Sequence, residues 1–157
     1  MSSYIKPNLV FAKLKASSST DIISQLADKL YKNGNVTSGY KDAVLAREKE
    51  FPTGLPSQSG KYDVAIPHTD VKYVNQPAIA FASLDNPVEF TNMGDHSQQV
   101  QARFVVMLAM KEPHSQVKLL SQLMALFQDE DVLAKLWGIT NSERLYQELS
   151  VRFMKES

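Results

Sequence analysis

Three side chains of this 157-residue sequence stand where chemistry would want them. His68 follows the short apolar run Val64-Ala65-Ile66 and a proline, in KYDVAIPHTD. His114 follows a longer apolar run that ends at Met110, and it too comes straight after a proline, in KEPHSQ. An apolar run stopped by proline reads as a buried strand with a stiff exit, because proline fixes φ and lacks an N–H. If the two strands run the same way, both imidazoles sit at one edge of the sheet, where strand ends meet helix starts and ligands bind. His114 also falls in the first turn of the helix opened by Pro113. Free backbone N–H groups there favour an anion. The third residue is Arg47. Tyr40, Val44, Arg47 and Phe51 recur at helical spacing, so Arg47 is expected to share an inward apolar stripe. An inward arginine needs an anionic partner, either a structural carboxylate or a bound phosphate. The loop FPTGLP that follows has backbone able to approach an anion closely.

Each of these has a structural alternative. A strand-end histidine can serve as a hydrogen-bonder alone, and Arg47 can belong to an ordinary ion pair. His96, in MGDHSQQ, has only loop neighbours and reads as solvated. Asp70, two residues after His68, is a carboxylate that could orient an imidazole. The Met-rich run VVMLAM and Met124 read as core.

Several chemistries are excluded. There is no cysteine, hence no disulfide, thiol nucleophile or thiolate metal site. The three histidines lack the short spacing of a zinc site. Neither a G-x-S-x-G elbow nor a phosphate-binding G-x-x-x-x-G-K-[ST] loop is present. Lys plus Arg and Asp plus Glu both number 17, so no global field draws nucleic acid or an anionic membrane. The longest apolar run, Phe104 to Met110, is far short of the roughly 18 residues that span a bilayer. The first twenty residues make a poor signal peptide. A cytoplasmic location is expected. What remains is a His/Arg/His cluster able to hold a phosphoryl group without a metal.

The elements that must position this cluster follow from periodicity. Strands are predicted at 9–12, 64–66, 78–82, 88–90 and 102–110. Helices are predicted from Ser19 or Thr20 to Lys32, from Ser38 to Glu50, from Pro113 through Phe127, over 130–136 and over 141–153. The 43% hydrophobic content suits one domain with a full core, taken as 1–157. No repeat or linker interrupts it. Strands between groups of helices predict an α/β fold, a three-layer α/β/α sandwich with a mixed sheet flanked by helices.

The order of these features resembles the type-2 enzyme IIA domains of the bacterial sugar phosphotransferase system, the fructose, mannitol and nitrogen-regulatory superfamily. The shared pattern is Arg47, the turn Thr53-Gly54, the strand closing in Ile66-Pro67-His68, and His114 opening a Leu-rich helix in MLAMKEPHSQVKLLSQLMALF. It runs over nearly the whole chain. FPTGL, AIPHTD and VNQPAIAF look most like the galactitol-type branch. Asp63-Val64 stands where many relatives have glycine. The resemblance implies a phosphocarrier with no cofactor and no metal. His68 would accept the phosphoryl group from phospho-HPr through Nε2, with Nδ1–H held on a carbonyl. A cognate EIIB, linked to the membrane component EIIC, would receive it. Arg47 and His114 would stabilise the phosphoryl group, Thr53 and Gly54 would form the loop beside it, and Phe51 and Leu55 would rim a shallow docking surface. The alternatives are a regulatory protein of the same fold, signalling through phosphorylated His68, and a static anion-binding module.

Overall fold

The computed structural model describes residues 4–156, with side chains as far as Arg152. Five strands, β1 (Ile5–Leu14), β2 (Gly54–Leu55), β3 (Asp63–Ala65), β4 (Ala78–Thr91) and β5 (Gln99–Ala109), form one sheet in the order β1-β4-β5-β3-β2. The pairing is mixed: β1 with β4 and β3 with β5 are parallel, and β4 with β5 and β2 with β3 are antiparallel. Helices α1 (Ser19–Lys32), α2 (Tyr40–Glu50), α3 (Pro113–Leu126), α4 (Glu130–Gly138) and α5 (Ser142–Glu156) complete the fold. The expected α/β sandwich with a mixed sheet is the fold observed. The expected domain limits include residues 1–3 and 157, which lie outside the described residues.

Strand side chains alternate between two cores, as a pleat requires. Ala65, Ala78, Ala80, Ala82, Val105, Met107 and Ala109 face α1 and α2, where Ile22, Ile23, Leu26, Leu30, Tyr40 and Val44 are buried. Val64, Ile66, Ile79, Phe81, Phe104, Val106 and Leu108 face α3, α4 and α5. Alanines on the first face let α1 and α2 approach the sheet closely, and the larger residues fill the other layer. Phe81 and Phe104 stack tilted at 5.9 Å on that layer. A continuous apolar strand such as Phe104–Met110 is what a sheet covered on both faces needs.

The boundaries depart from expectation in instructive places. Residues 78–82 and 88–90 are one strand, not two. Register slips between Ser83 and Val88, so Pro87 sits in a bulge, where it costs no ladder bond. Strand β1 starts earlier than predicted and carries Pro7, tolerated because β1 is an edge strand with a register slip between Ile5 and Val10. The N-cap of α1 is Ser18, whose hydroxyl accepts from the Asp21 N–H, one residue before the predicted caps. Strand β2 lies inside the stretch read as loop.

Gly54 has a packing reason to be glycine. A Cβ there would lie 2.6 Å from the Thr91 carbonyl oxygen and 2.7 Å from a Val100 methyl. Gly54→Ala should therefore destabilise the fold by about 1–3 kcal/mol, the usual cost of overpacking. Gly138, with nothing within 4 Å of a built Cβ, is the control. Urea unfolding of both alanine variants checks this, and equal midpoints would contradict it.

Candidate functional site

Parallel pairing of β3 with β5 sends both strand exits to one edge of the sheet. The chain leaves β3 through Ile66-Pro67-His68 and leaves β5 through Met110 into α3, whose first turn holds His114. The two predicted histidines thus emerge from neighbouring strands, which lie about 4.8 Å apart in a sheet.

Hydrogen bonds hold the exit from β3 at Ile66 and Pro67. The Ile66 N–H donates to the carbonyl and hydroxyl oxygens of Thr53, at 3.3 and 3.2 Å. The Pro67 carbonyl accepts from the Leu108 N–H at 3.2 Å. The Leu108 carbonyl in turn accepts from the buried Tyr40 hydroxyl at 2.7 Å, which ties α2 to the same place. Burial pushes the Tyr40 phenol far above its usual range, so it stays a donor. These bonds tie the exit of β3 to Thr53, to β5 and, through Leu108, to α2.

His68 is buried, and its Nδ1 lies 2.8 Å from the Ile66 carbonyl oxygen. A carbonyl only accepts, so Nδ1 carries the hydrogen and Nε2 carries the lone pair. Burial is the main force lowering the His68 pKa. The Ile66 hydrogen bond opposes it, and the positive charge of Arg47 lowers it further. The imidazole is therefore neutral at neutral pH. Asp70 does not orient this ring. It is exposed and caps the 3₁₀ turn Val71–Tyr73, accepting from the Lys72 N–H at 2.9 Å.

Arg47 departs from expectation. It is exposed rather than turned inward. Of the stripe, only Tyr40 and Val44 reach the core. The last turn of α2 passes beyond that cover, so Arg47 and Phe51 are both on the surface, the guanidinium 5.0 Å from the ring. Among the described residues no carboxylate pairs with it. It remains close enough to His68 to act on its charge. Phe51 is 53% exposed, and Leu55 is half-buried against the α3–α5 core. His114 is exposed, as is His96.

Glu48 was not singled out by the sequence patterns, yet it organises the loop. Its carboxylate accepts from the Thr53 N–H and hydroxyl, both at 2.8 Å. Thr53 then receives the Ile66 N–H, and Ile66 holds His68. A chain of bonds thus runs from α2 to the imidazole. Burial raises the Glu48 pKa, against the pull of the Thr53 bonds and Arg47. The signal available in sequence was the Tyr40-Val44-Glu48 repeat at i+4, ahead of a threonine. The N–H of Thr53 is spent on Glu48, and Gly54 is packed under Thr91. Both residues sit behind the site as supports, and the Thr53 N–H is not aimed at an anion. Beyond them, Asp63 orders the longer loop, accepting from the N–H groups of Ser57 at 2.8 Å and Gln101 at 3.0 Å.

The chain is similar to known proteins over most of its length. The profile described as "Phosphoenolpyruvate-dependent sugar phosphotransferase system, EIIA 2" matches residues 3–151. The chain is 28% identical over 138 residues to the galactitol-specific EIIA component of the phosphotransferase system of Escherichia coli K12, covering 88% of this chain and 89% of that one. It is 26% identical over 148 residues to a nitrogen regulatory protein of Bradyrhizobium diazoefficiens, covering 94% and 92%. Among solved structures, the complex of enzyme IIA-Mtl and phosphorylated enzyme IIB-Mtl from Escherichia coli superimposes with a TM-score of 0.73. The identity is 26%, and the match covers 91% of this chain and 94% of that one. Among the described residues, no helix is long and apolar enough to cross a membrane.

Two measurements test this site. Because the folded-state pKa of His68 is lowered, the unfolded chain binds its proton first as pH falls below about 6.5. Its contribution to stability is complete above that pH and is lost as pH falls through the folded pKa. Urea stability from pH 7.5 to 5.5 should fall more steeply for the native protein than for His68→Gln, a comparison that cancels the opposite linkage of Glu48. Equal slopes would refute the buried neutral imidazole. Glu48→Gln replaces one of two acceptor oxygens with a donor facing Thr53, and should cost about 1–3 kcal/mol. An unchanged midpoint at pH 7 would remove Glu48 from the chain of bonds.

Proposed function

Starting from the chain's membership of the EIIA type-2 family of the phosphoenolpyruvate-dependent sugar phosphotransferase system, we propose that it carries a phosphoryl group on Nε2 of His68. The donor is the phosphohistidine of HPr and the acceptor is a cognate EIIB. The observation that carries this reading is the 2.8 Å bond from Nδ1 to the Ile66 carbonyl, which leaves Nε2 as the nucleophile.

The chemistry is a pair of in-line displacements. The Nε2 lone pair attacks phosphorus and forms a new N–P bond as the N–P bond of the donor breaks. The electron pair of the broken bond returns to the donor imidazole. In the onward step the thiolate of EIIB attacks, the S–P bond forms, and the electron pair of the His68 N–P bond returns to Nε2. Such transfer depends on positioning and charge stabilisation. The bonded exit of β3 positions the imidazole. Arg47 places a fork of donors beside it, suited to phosphate oxygens. Its exposure fits a group that must meet a phosphoryl arriving on another protein. His114 lies at the start of α3, where the helix dipole favours the added negative charge. Phe51 and Leu55 supply apolar surface for docking next to Arg47. Thr53 and Gly54 support the loop from behind. The 28% identical relative makes galactitol or a related polyol the proposed transport context. A regulatory role is the second reading, favoured by the likeness to a nitrogen regulatory protein.

Incubation with phosphoenolpyruvate, enzyme I and HPr should label His68 as an acid-labile phosphohistidine. His68→Ala should fold and take no label, and label persisting on that variant would overturn the assignment. Arg47→Ala should slow transfer while leaving the melting temperature nearly unchanged, since the side chain is exposed and unpaired. His114→Ala should still be labelled but transfer more slowly, by less than the 10²–10³-fold that loss of a donor in a preorganised site typically costs. Single-turnover transfer in both directions measures this, and unchanged rates would exclude His114. Transfer onward to a galactitol-type EIIB distinguishes a transport component from a regulator, which would keep its phosphate.

A further inference from the structure

Glu48 is a half-buried carboxylate that forms no ion pair among the described residues. Both its oxygens go to one residue, the buried Thr53. One accepts from the Thr53 N–H and the other from its hydroxyl, each at 2.8 Å. Removing a carboxylate from water is costly, and these two bonds are what offsets it. Because the hydroxyl donates to Glu48, its lone pairs are left for another donor. That donor is the Ile66 N–H, accepted by the hydroxyl at 3.2 Å and shared with the Thr53 carbonyl at 3.3 Å. Both distances exceed the roughly 2.9–3.0 Å of an ordinary N–H···O bond, so the two acceptors hold Ile66 together and neither holds it firmly alone.

The grip on Ile66 matters because of what its carbonyl does. That carbonyl holds the His68 Nδ1–H at 2.8 Å, and it belongs to the peptide unit whose nitrogen is that of Pro67. The unit has no N–H, so no donor of its own fixes its plane. Its direction is set by the torsions on either side. On the proline side the ring fixes φ, and the Pro67 carbonyl is bonded to the Leu108 N–H at 3.2 Å. On the Ile66 side the anchor is the N–H held by Thr53. If the carbonyl turns away, nothing keeps the imidazole proton on Nδ1. A neutral ring can carry its proton on either nitrogen, and a protonated Nε2 has no lone pair for attack.

We propose that Glu48 is a positioning residue for phosphoryl transfer, acting through the Thr53 hydroxyl on the Ile66 carbonyl and so on the tautomer of His68. The effect on rate rests on the phosphocarrier reading, and the effect on the ring rests on the hydrogen bonds alone. Glu48 bonds neither the imidazole nor the place of the phosphoryl group. It fixes Thr53 at both its N–H and its hydroxyl, so the hydroxyl keeps a lone pair facing Ile66.

Nitrogen-15 NMR of His68 reads the tautomer, and single-turnover transfer from phospho-HPr reads the rate. The native ring should show a protonated Nδ1 and an unprotonated Nε2. Thr53→Val keeps the carbonyl bond to Ile66 and removes the hydroxyl, and Glu48→Gln turns a donor toward Thr53. Both should move the ring signals toward a mixture of tautomers and slow transfer by about 10- to 100-fold, as a misplaced nucleophile does. Thr53→Ser restores the hydroxyl and should restore native signals and a rate close to native. Asn141→Ala removes the side chain that accepts from the Arg144 N–H at the start of α5, which lowers stability without touching these bonds. It should keep the native signals and rate, which separates positioning from lost stability. Native ring signals in Thr53→Val or in Glu48→Gln would overturn the proposal. So would altered signals with native transfer, or a Thr53→Ser variant as slow as Thr53→Val. A native protein that takes no phosphate would overturn the phosphocarrier reading instead, and the ring signals would still decide whether Glu48 sets the tautomer.

Discussion

The site depends on the hydrogen bonds that hold Ile66 and Pro67 where the chain leaves β3. The Ile66 N–H is taken by Thr53, the Ile66 carbonyl by His68, and the Pro67 carbonyl by Leu108. Buried peptide groups must be paired, so this segment has one arrangement and little room to move. An imidazole held by such a segment has a defined tautomer and a defined direction. Position and tautomer therefore come from the same few hydrogen bonds, while burial keeps the ring neutral against the pull of the Ile66 bond.

Support for that segment arrives from one face of the sheet. Helix α2 contributes the Tyr40 hydroxyl to Leu108 and the Glu48 carboxylate to Thr53. Both are buried or partly buried polar groups, and each would cost stability if left without its partner. Adjacent on the same helix, Arg47 points to solvent. Two consecutive residues of one helix thus hold a carboxylate that stiffens the scaffold and a cation that faces solvent. The charge of Arg47 also reaches His68 and helps keep it neutral, which links the protonation state of the imidazole to the group best suited to meet a phosphate.

The two ends of the sheet use cations differently. At the His68 end, Arg47 rests on the exposed ring of Phe51 and is free to engage an incoming group. Around Trp137, Lys13 and Arg103 both approach one indole, whose N–H is held by the Leu84 carbonyl, and Lys13 has a positive φ.

Much of the fold was legible in the residues themselves. The continuous apolar run Phe104–Met110 could only be a strand covered on both faces, and the prolines before His68 and His114 marked where the chain leaves the sheet. Types, order and local periodicity carry that information because burial and proline geometry act within a few residues. Other features were decided by distant parts of the chain meeting. Whether the strands ending before His68 and His114 run parallel depends on β3 pairing with β5 across some forty residues, and no local pattern encodes that choice. Arg47 sits on an apolar stripe, yet it is exposed because the last turn of α2 extends past its cover, and the reach of a helix over a sheet is a tertiary quantity. Glu48 acquires its partner only when Thr53 folds against it. Gly54 read as part of a turn, and it is glycine because Thr91 and Val100, remote in sequence, leave no space for a Cβ. The sequence by itself determined which groups could act and which elements would carry them. Only the packed structure determined which of those groups face one another, because burial and partnership are set by surfaces that the chain brings together from afar.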